Sequence, residues 1–387
     1  MPDVGPFDGL LYDPTRVGDL LTVTAPPYDV ILPEERRRLH RASPYNISLV
    51  DLGEERGALA DQYTRAAELL SRWREEGVLR RVGRPAVYPY EMGFVHDGEA
   101  RRLRGVVLEV ALEPWGGAIL PHERTLEAPV EDRLALARAT RANISPIYAV
   151  VPDPRGPQHD LLERAGARPA DREVSDEEGV VHRLWVEEPG PDLAAWYRDR
   201  RLMVADGHHR YETALRLRDE LHPERGPGPW DATMMLVVEE AEDPPILPIH
   251  RVVRCDGAER IPGRRVRDLA EVLGWLRPGG LRFGAAYLED GDVVHLAGSL
   301  GGPPPAVAAL HREVIDRLEG VRELRYLPDA VAAEEAVVGG AADVALFLPP
   351  ARVDEVRAVV EGGGRLPEKS TYFWPKPRTG MVIRAFE

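Results

Sequence analysis

Residues 202–221, LMVADGHHRYETALRLRDEL, set an apolar run directly against a glycine turn and a helical repeat. Ala214, Leu215 and Leu217 carry the apolar side of the helix. A short strand that passes through glycine straight into a helix aims backbone N–H groups and the helix dipole at whatever lies above the turn. The same alternation recurs along the chain and implies an α/β (α+β) fold with mixed sheets.

The flanking pattern supports this. Leu59, Tyr63, Ala66, Leu70 and Trp73 space a helix over 55–78, which Gly77 ends. PAVYPYEMGFV and RRLRGVVLEVAL read as strands joined at Asp97-Gly98, a hairpin signal. A helix is expected at about 131–142 and strands at ISPIYAVV, VHRLWVEE, ATMMLVVEE and LPIHRVVR. Beyond 257, VRDLAEVLGWL, AVAALHREVIDRL and VDEVRAVVEGG read as helices, AYLEDGDVVHLAG as a hairpin, and ADVALFLPP and GMVIRAF as strands. Residues 1–52, punctuated by Pro26, Pro27 and Pro33, read as irregular, with Val30 and Ile31 packing and Asp29 open. At 387 residues two or three domains are expected. The boundaries drawn are 1–112, 113–256 and 257–387.

Charge narrows the partners. Fifty basic against 65 acidic residues give −15, which counts against nucleic acid and against an anionic membrane surface. Cys255 is the single cysteine, so no intrachain disulfide framework or multi-cysteine metal site is expected. No stretch approaches a membrane span, and MPDVGPFDGL does not read as an export signal; a soluble cytoplasmic protein is expected. Lys369 and Lys376 are the only lysines, so the other 48 basic residues are arginine. Both fall in EKSTYFWPKPRTG, where a compact ammonium suits a tight phosphate site better than a planar fork.

Four groups of residues carry candidate chemistry. Asp206, Gly207, His208, His209 and Arg210 place donors, cations and one carboxylate at the strand-to-helix joint. Pro121-His122-Glu123-Arg124-Thr125 offers Glu123 as a general base with His122 beside it; it is not an H-E-x-x-H zinc motif, because residue 126 is leucine. GGGRLPEKST fails as a Walker loop, since Glu368 stands where glycine belongs. Lys369, Ser370 and Thr371 can still contact phosphate. His250 and Arg251 lie in LPIHRVVR and face opposite sides of a strand, so one of them is structural. No G-x-S-x-G elbow supports serine nucleophilic catalysis.

VADGHHRYETAL resembles the D-G-H-H-R segment of the free serine kinases of the ParB/sulfiredoxin-like superfamily. PHERT resembles their P-H-E segment, and LPEKSTYFWPKPRTGMVIRAFE their terminal P-K-T-T segment, in the same order. The resemblance spans roughly 115–387. PPYDVI and the first 110 residues look like the bacterial branch of this group, proteins of uncharacterised function. It implies a ParB/sulfiredoxin-like mixed-sheet core with an N-terminal extension and a C-terminal α/β domain completing the site.

The resemblance also implies phosphoryl transfer to the hydroxyl of free L-serine, with ADP, ATP or pyrophosphate as phosphate donor and Mg²⁺ accompanying it. Glu123 would take the hydroxyl proton, and Asp206 would align that hydroxyl or a Mg²⁺. Gly207, His208, His209 and Arg210 would hold the donor phosphates, with Lys369, Ser370 and Thr371 closing over them. His122, His250 and Arg251 are the candidates for substrate contacts. Tyr372-Phe373 replaces the family's Arg-His after the lysine segment. The alternatives are a ParB-like nucleotide-binding regulator and a phosphatase using the same residues. The whole reading expects Glu123, the 206–210 turn and Lys369 to converge on one anion cradle.

Overall fold

The computed structural model describes residues 1–53, 59–152 and 156–386. It is a mixed α/β protein that divides into two compact units. The first comprises Met1–Pro121, Thr125–Asp243 and Pro375–Glu387; the second comprises His122–Arg124 and Pro244–Trp374.

The first unit is built on a nine-stranded sheet. Its order runs Ile119–Pro121, Leu202–Asp206, Ile147–Val151, Ala232–Glu239, Glu99–Ala111, Tyr88–His96, Val181–Leu184, Arg172–Ser175, with Val4–Gly5 paired onto Glu99–Ala111. Leu202–Asp206 runs parallel to Ile119–Pro121 and antiparallel to Ile147–Val151. Residues assigned from sequence to an N-terminal extension and to a separate core therefore share one sheet. Long apolar runs such as Ala232–Glu239 are central strands buried on both faces. Helices Pro157–Gly166, Leu193–Arg198 and His208–Arg225 cover one face, where Leu161, Leu193, Tyr211 and Leu215 pack on Val106, Leu108, Ala149, Val204 and Val237.

Most of the expected elements form. The hairpin turns at Asp97-Gly98, both at positive φ, and joins Tyr88–His96 to Glu99–Ala111. The helix expected over 55–78 spans Leu59–Glu75 with Ala66, Leu70 and Trp73 buried; residues 55–58 lie outside the described residues. The 1–52 segment departs from expectation, because Pro33–Ala42 is a ten-residue helix with proline at its first turn. Its signal was a proline start followed by Glu34 and Glu35, masked by the surrounding prolines. Pro157–Gly166 and Ala330–Val338 are further helices, beyond those expected from the periodicity.

The second unit holds a six-stranded antiparallel sheet in the order Arg264–Val266, Asp292–Ser299, Arg282–Glu289, Val344–Phe347, His250–Asp256, Glu319–Leu327. Val307 and Leu310 of helix Ala306–Glu313 pack on one face with Val253, Phe283 and Leu346. Val272, Leu276, Ala333 and Val337 pack on the other with Val252, Ala345 and Phe347. Both faces are covered, which explains why His250 and Arg251 are both buried although they point to opposite sides.

Phe347 is fully buried at the centre of this sheet. Replacing it with alanine should cost about 3–5 kcal/mol, read as a lower denaturation midpoint of the intact chain. A loss under about 1 kcal/mol would contradict its central place in that core.

Candidate functional site

Strand Leu202–Asp206 delivers the chain to Gly207, which takes φ 96° and opens the 18-residue helix His208–Arg225. Only glycine holds that conformation without strain, and a Cβ here would also meet the Arg210 guanidinium at 2.9 Å. The helix start thus presents its backbone donors beside Asp206.

Asp206 is not an open carboxylate. Its Oδ1 accepts from the Lys376 ammonium at 2.7 Å, and its Oδ2 from Arg210. Lys376 donates equally to Asp29 Oδ2 at 2.7 Å, and its side chain is only 8% exposed. Burial alone would raise the Asp206 pKa, but the charges of Lys376 and then Arg210 outweigh it and hold the carboxyl well below the usual carboxylate range. Burial pulls the Lys376 ammonium down, and Asp206 and Asp29 reverse that, so it stays protonated beyond its ordinary range. Both Asp206 oxygens, expected to align a hydroxyl or a Mg²⁺, accept from cations in this structure. Asp206 acts as the anchor that positions Lys376 and Arg210.

The neighbouring residues are also committed. Arg210 donates through Nη1 to Ser145 Oγ at 2.9 Å and to the Pro146 carbonyl at 2.6 Å. His208 is buried, stacked on Trp115 with ring centroids 6.0 Å apart. His209 Nε2 accepts the Leu126 N–H at 3.0 Å, which makes that nitrogen a lone-pair acceptor there. Lys376 and Asp29 were absent from the expected site. Lys376 carried a signal, as one of two lysines in the chain; Asp29 carried none beyond its place in PPYDVI.

The second unit gathers another set. His122 Nε2 hydrogen-bonds Thr371 Oγ1 at 2.6 Å, and the His122 carbonyl accepts the Leu366 N–H at 2.8 Å. Lys369 sits at φ 50° and is exposed, while Ser370 Oγ donates to the Pro367 carbonyl at 2.5 Å. Arg251 is wholly buried and donates to the carbonyls of Ile249, Glu368 (3.3 Å) and Lys369 (2.9 Å). It therefore holds the backbone of the lysine segment in place. Burial lowers its pKa to about 10, against the favourable charges of Tyr326 and Glu123. Glu123 thus lies within the field of a buried guanidinium. His250 accepts the Leu348 N–H at 3.3 Å, and burial, with Arg251 adding to it, pushes its imidazole down to about 4, so it is neutral at physiological pH. Its ring packs edge-on against Phe347.

Among the described residues no cluster of three or more His, Cys, Asp or Glu could hold a metal ion, and no helix is long and apolar enough to cross a membrane.

A mixed α/β protein with a glycine-led helix start and a buried lysine between two carboxylates is the class that fold and site define. The chain belongs to the DUF1015 family, described as "Protein of unknown function (DUF1015)", whose match covers residues 4–273. No curated protein matches the sequence. Among solved structures, it is similar to a free serine kinase in complex with AMP, at 13% identity over 68% of this chain and 89% of that one, with a TM-score of 0.35. It is similar also to a C-terminally truncated SbnI from Staphylococcus aureus, at 14% identity over 70% of this chain and 79% of that one, TM-score 0.35. A conserved hypothetical protein from Pyrococcus furiosus shows 12% identity over 67% and 90%, TM-score 0.33.

Lys376→Met removes a buried cation and leaves Asp206 with Arg210 as its remaining charged partner, which should cost up to about 3 kcal/mol. In the natural protein the depressed Asp206 pKa contributes stability that is full above the ordinary carboxylate value of about 4 and is lost as pH falls through the lower folded value. Without Lys376 the Asp206 pKa climbs, so the acid-unfolding midpoint should move to higher pH. Tryptophan fluorescence during acid titration reads this; an unmoved midpoint would count against the ion-pair assignment.

Proposed function

We propose that this chain is a small-molecule phosphotransferase that moves a phosphoryl group from a nucleotide or pyrophosphate to the hydroxyl of free L-serine. The observation that carries the reading is the Gly207-led helix start, where backbone donors and the helix dipole adjoin Lys376 and Arg210. Phosphoryl transfer asks for positioning and charge neutralisation more than for a covalent intermediate; the ion-paired cluster fixes the helix start, whose N–H groups and dipole would meet the phosphate charge.

In this reading the serine hydroxyl oxygen forms the new P–O bond and the bond from phosphorus to the leaving phosphate breaks. Glu123 accepts the hydroxyl proton. The departing phosphate carries away the electron pair; a Mg²⁺ brought with the donor would supply charge neutralisation there. Gly207 and the first helical N–H groups hold a donor phosphate. Lys369 and Thr371 contribute an ammonium and a hydroxyl, with Thr371 oriented by His122 and the segment braced by Arg251. Ser370 belongs to the same turn. His208 and His209 shape the helix start from either side.

Incubation with L-serine, Mg²⁺ and ADP, ATP or pyrophosphate, followed by ³¹P NMR, should yield O-phosphoserine with one of the three donors. Release of inorganic phosphate alone would replace a kinase with a hydrolase. Glu123→Gln should lower kcat by about 10²–10⁴-fold, the contribution of a general base; full turnover in that variant would remove Glu123 from the mechanism. Gly207→Ala should raise the donor KM more than the serine KM, since the added methyl forces strain at the helix start.

A further inference from the structure

The six-stranded sheet of the second unit ends on Glu319–Leu327, EGVRELRYL, a strand of nine residues. Among the described residues this strand pairs only with His250–Asp256. The strand at the opposite end of the sheet, Arg264–Val266, has three residues. A long edge strand turns a row of backbone N–H and C=O groups away from its sheet, and another extended chain can pair with them. Proteins commonly keep such an edge short or interrupt it with proline. Glu319–Leu327 is neither short nor interrupted by proline, its first five residues are exposed, and Val321 is 44% accessible.

Charged side chains blunt an edge against most partners, yet their order here suits one. The ladder to His250–Asp256 is regular from Glu323 to Leu327 and shifts register beyond Glu323. Within that run Glu323 and Arg325 share one face, both half exposed, with Arg325 Nε 3.4 Å from Glu323 Oε1. Leu324 lies on the other face, against the core that includes Val253 and Phe283. In an antiparallel pairing of two identical strands about a two-fold axis, the residue on the axis meets itself. Residues equally distant from it on either side meet each other across the strands. Glu323 on the axis would set two carboxylates face to face, and Arg325 two guanidiniums. Tyr326 on the axis would set Arg325 against Leu327, with no ion pair. Leu324 on the axis sets Glu323 of each copy against Arg325 of the other, two opposite-charge pairs on one face with a leucine–leucine contact on the other.

We propose that Glu319–Leu327 is a dimerisation edge. Two copies of this chain join antiparallel with Leu324 on the two-fold axis, so that their two sheets run on as one. The inference does not rest on the phosphotransferase reading.

Sedimentation velocity of the intact protein tests it. Over a dilution series reaching about 1 mM the sedimentation coefficient should climb from monomer to dimer. Glu323→Arg places like charges across the axis and should weaken association about tenfold or more, and Arg325→Glu should do the same. Mixed in equal amounts, the two variants should recover the natural association, because one then presents arginine at both positions and the other glutamate at both. The melting temperature of each variant shows whether it is folded. Glu323→Arg leaves the bond from Arg325 to the Ala341 carbonyl in place, and it decides the matter alone if Arg325→Glu does not fold. The proposal is overturned by a chain that stays monomeric throughout the series, which would leave the edge to a different partner. It is overturned equally by a dimer that Glu323→Arg does not weaken, or by two folded variants that fail to associate on mixing.

Discussion

The first unit depends on one ammonium. Lys376 lies between Asp29 and Asp206, 2.7 Å from each, and joins positions 347 and 170 residues away in the chain. Lys376 and Asp206 leave most of their water to make this contact while Asp29 stays at the surface, and a largely buried charge survives only when it finds a close opposite partner. Arg210 completes it on the far oxygen of Asp206. Lysine is chosen over arginine at this point because a compact ammonium can serve two carboxylates from one atom, whereas a planar fork spreads its donors. The residues that follow fasten the same segment. Arg378 donates to Thr24, Thr379 pairs with Ala25, Gly380 bonds Ile144, and Ile383 bonds Leu10. The 376–383 segment is thereby woven into residues 10–29, and through Lys376 this network reaches Asp206, next to the Gly207 helix start.

This network redistributes the roles among neighbouring residues. The sequence crowds His208, His209 and Arg210 after a glycine, which invites the view that all three reach for one anion. In the folded unit their side chains diverge. His208 packs on Trp115, His209 accepts from Leu126, and Arg210 turns inward to Ser145, Pro146 and Asp206. Side chains one residue apart on a helix point about 100° apart, so adjacency in sequence does not gather them on one ligand.

The second unit shows the same economy in another form. Arg251 is buried in a strand and spends its donors on backbone carbonyls of residues 249, 368 and 369. Through them it shapes the turn that carries Lys369, held at a positive φ that a lysine adopts only under constraint. His122 fixes Thr371 from the opposite direction in the chain.

Local chemistry was readable in the sequence. Period-two and period-3.6 patterns drew most strands and helices, Asp97-Gly98 drew its hairpin, and Gly207 drew the strand-to-helix joint, because each depends on neighbours a few positions away. Two lysines among fifty basic residues marked the tail as special. Partnership between distant residues was not readable. That Asp206 is saturated by Lys376 and Arg210, and that residues 4–5, 88–111 and 202–239 share one sheet, follow from long-range packing. Burial and ion pairing are set by where the chain returns to itself in space, and no local pattern of residue types encodes that return.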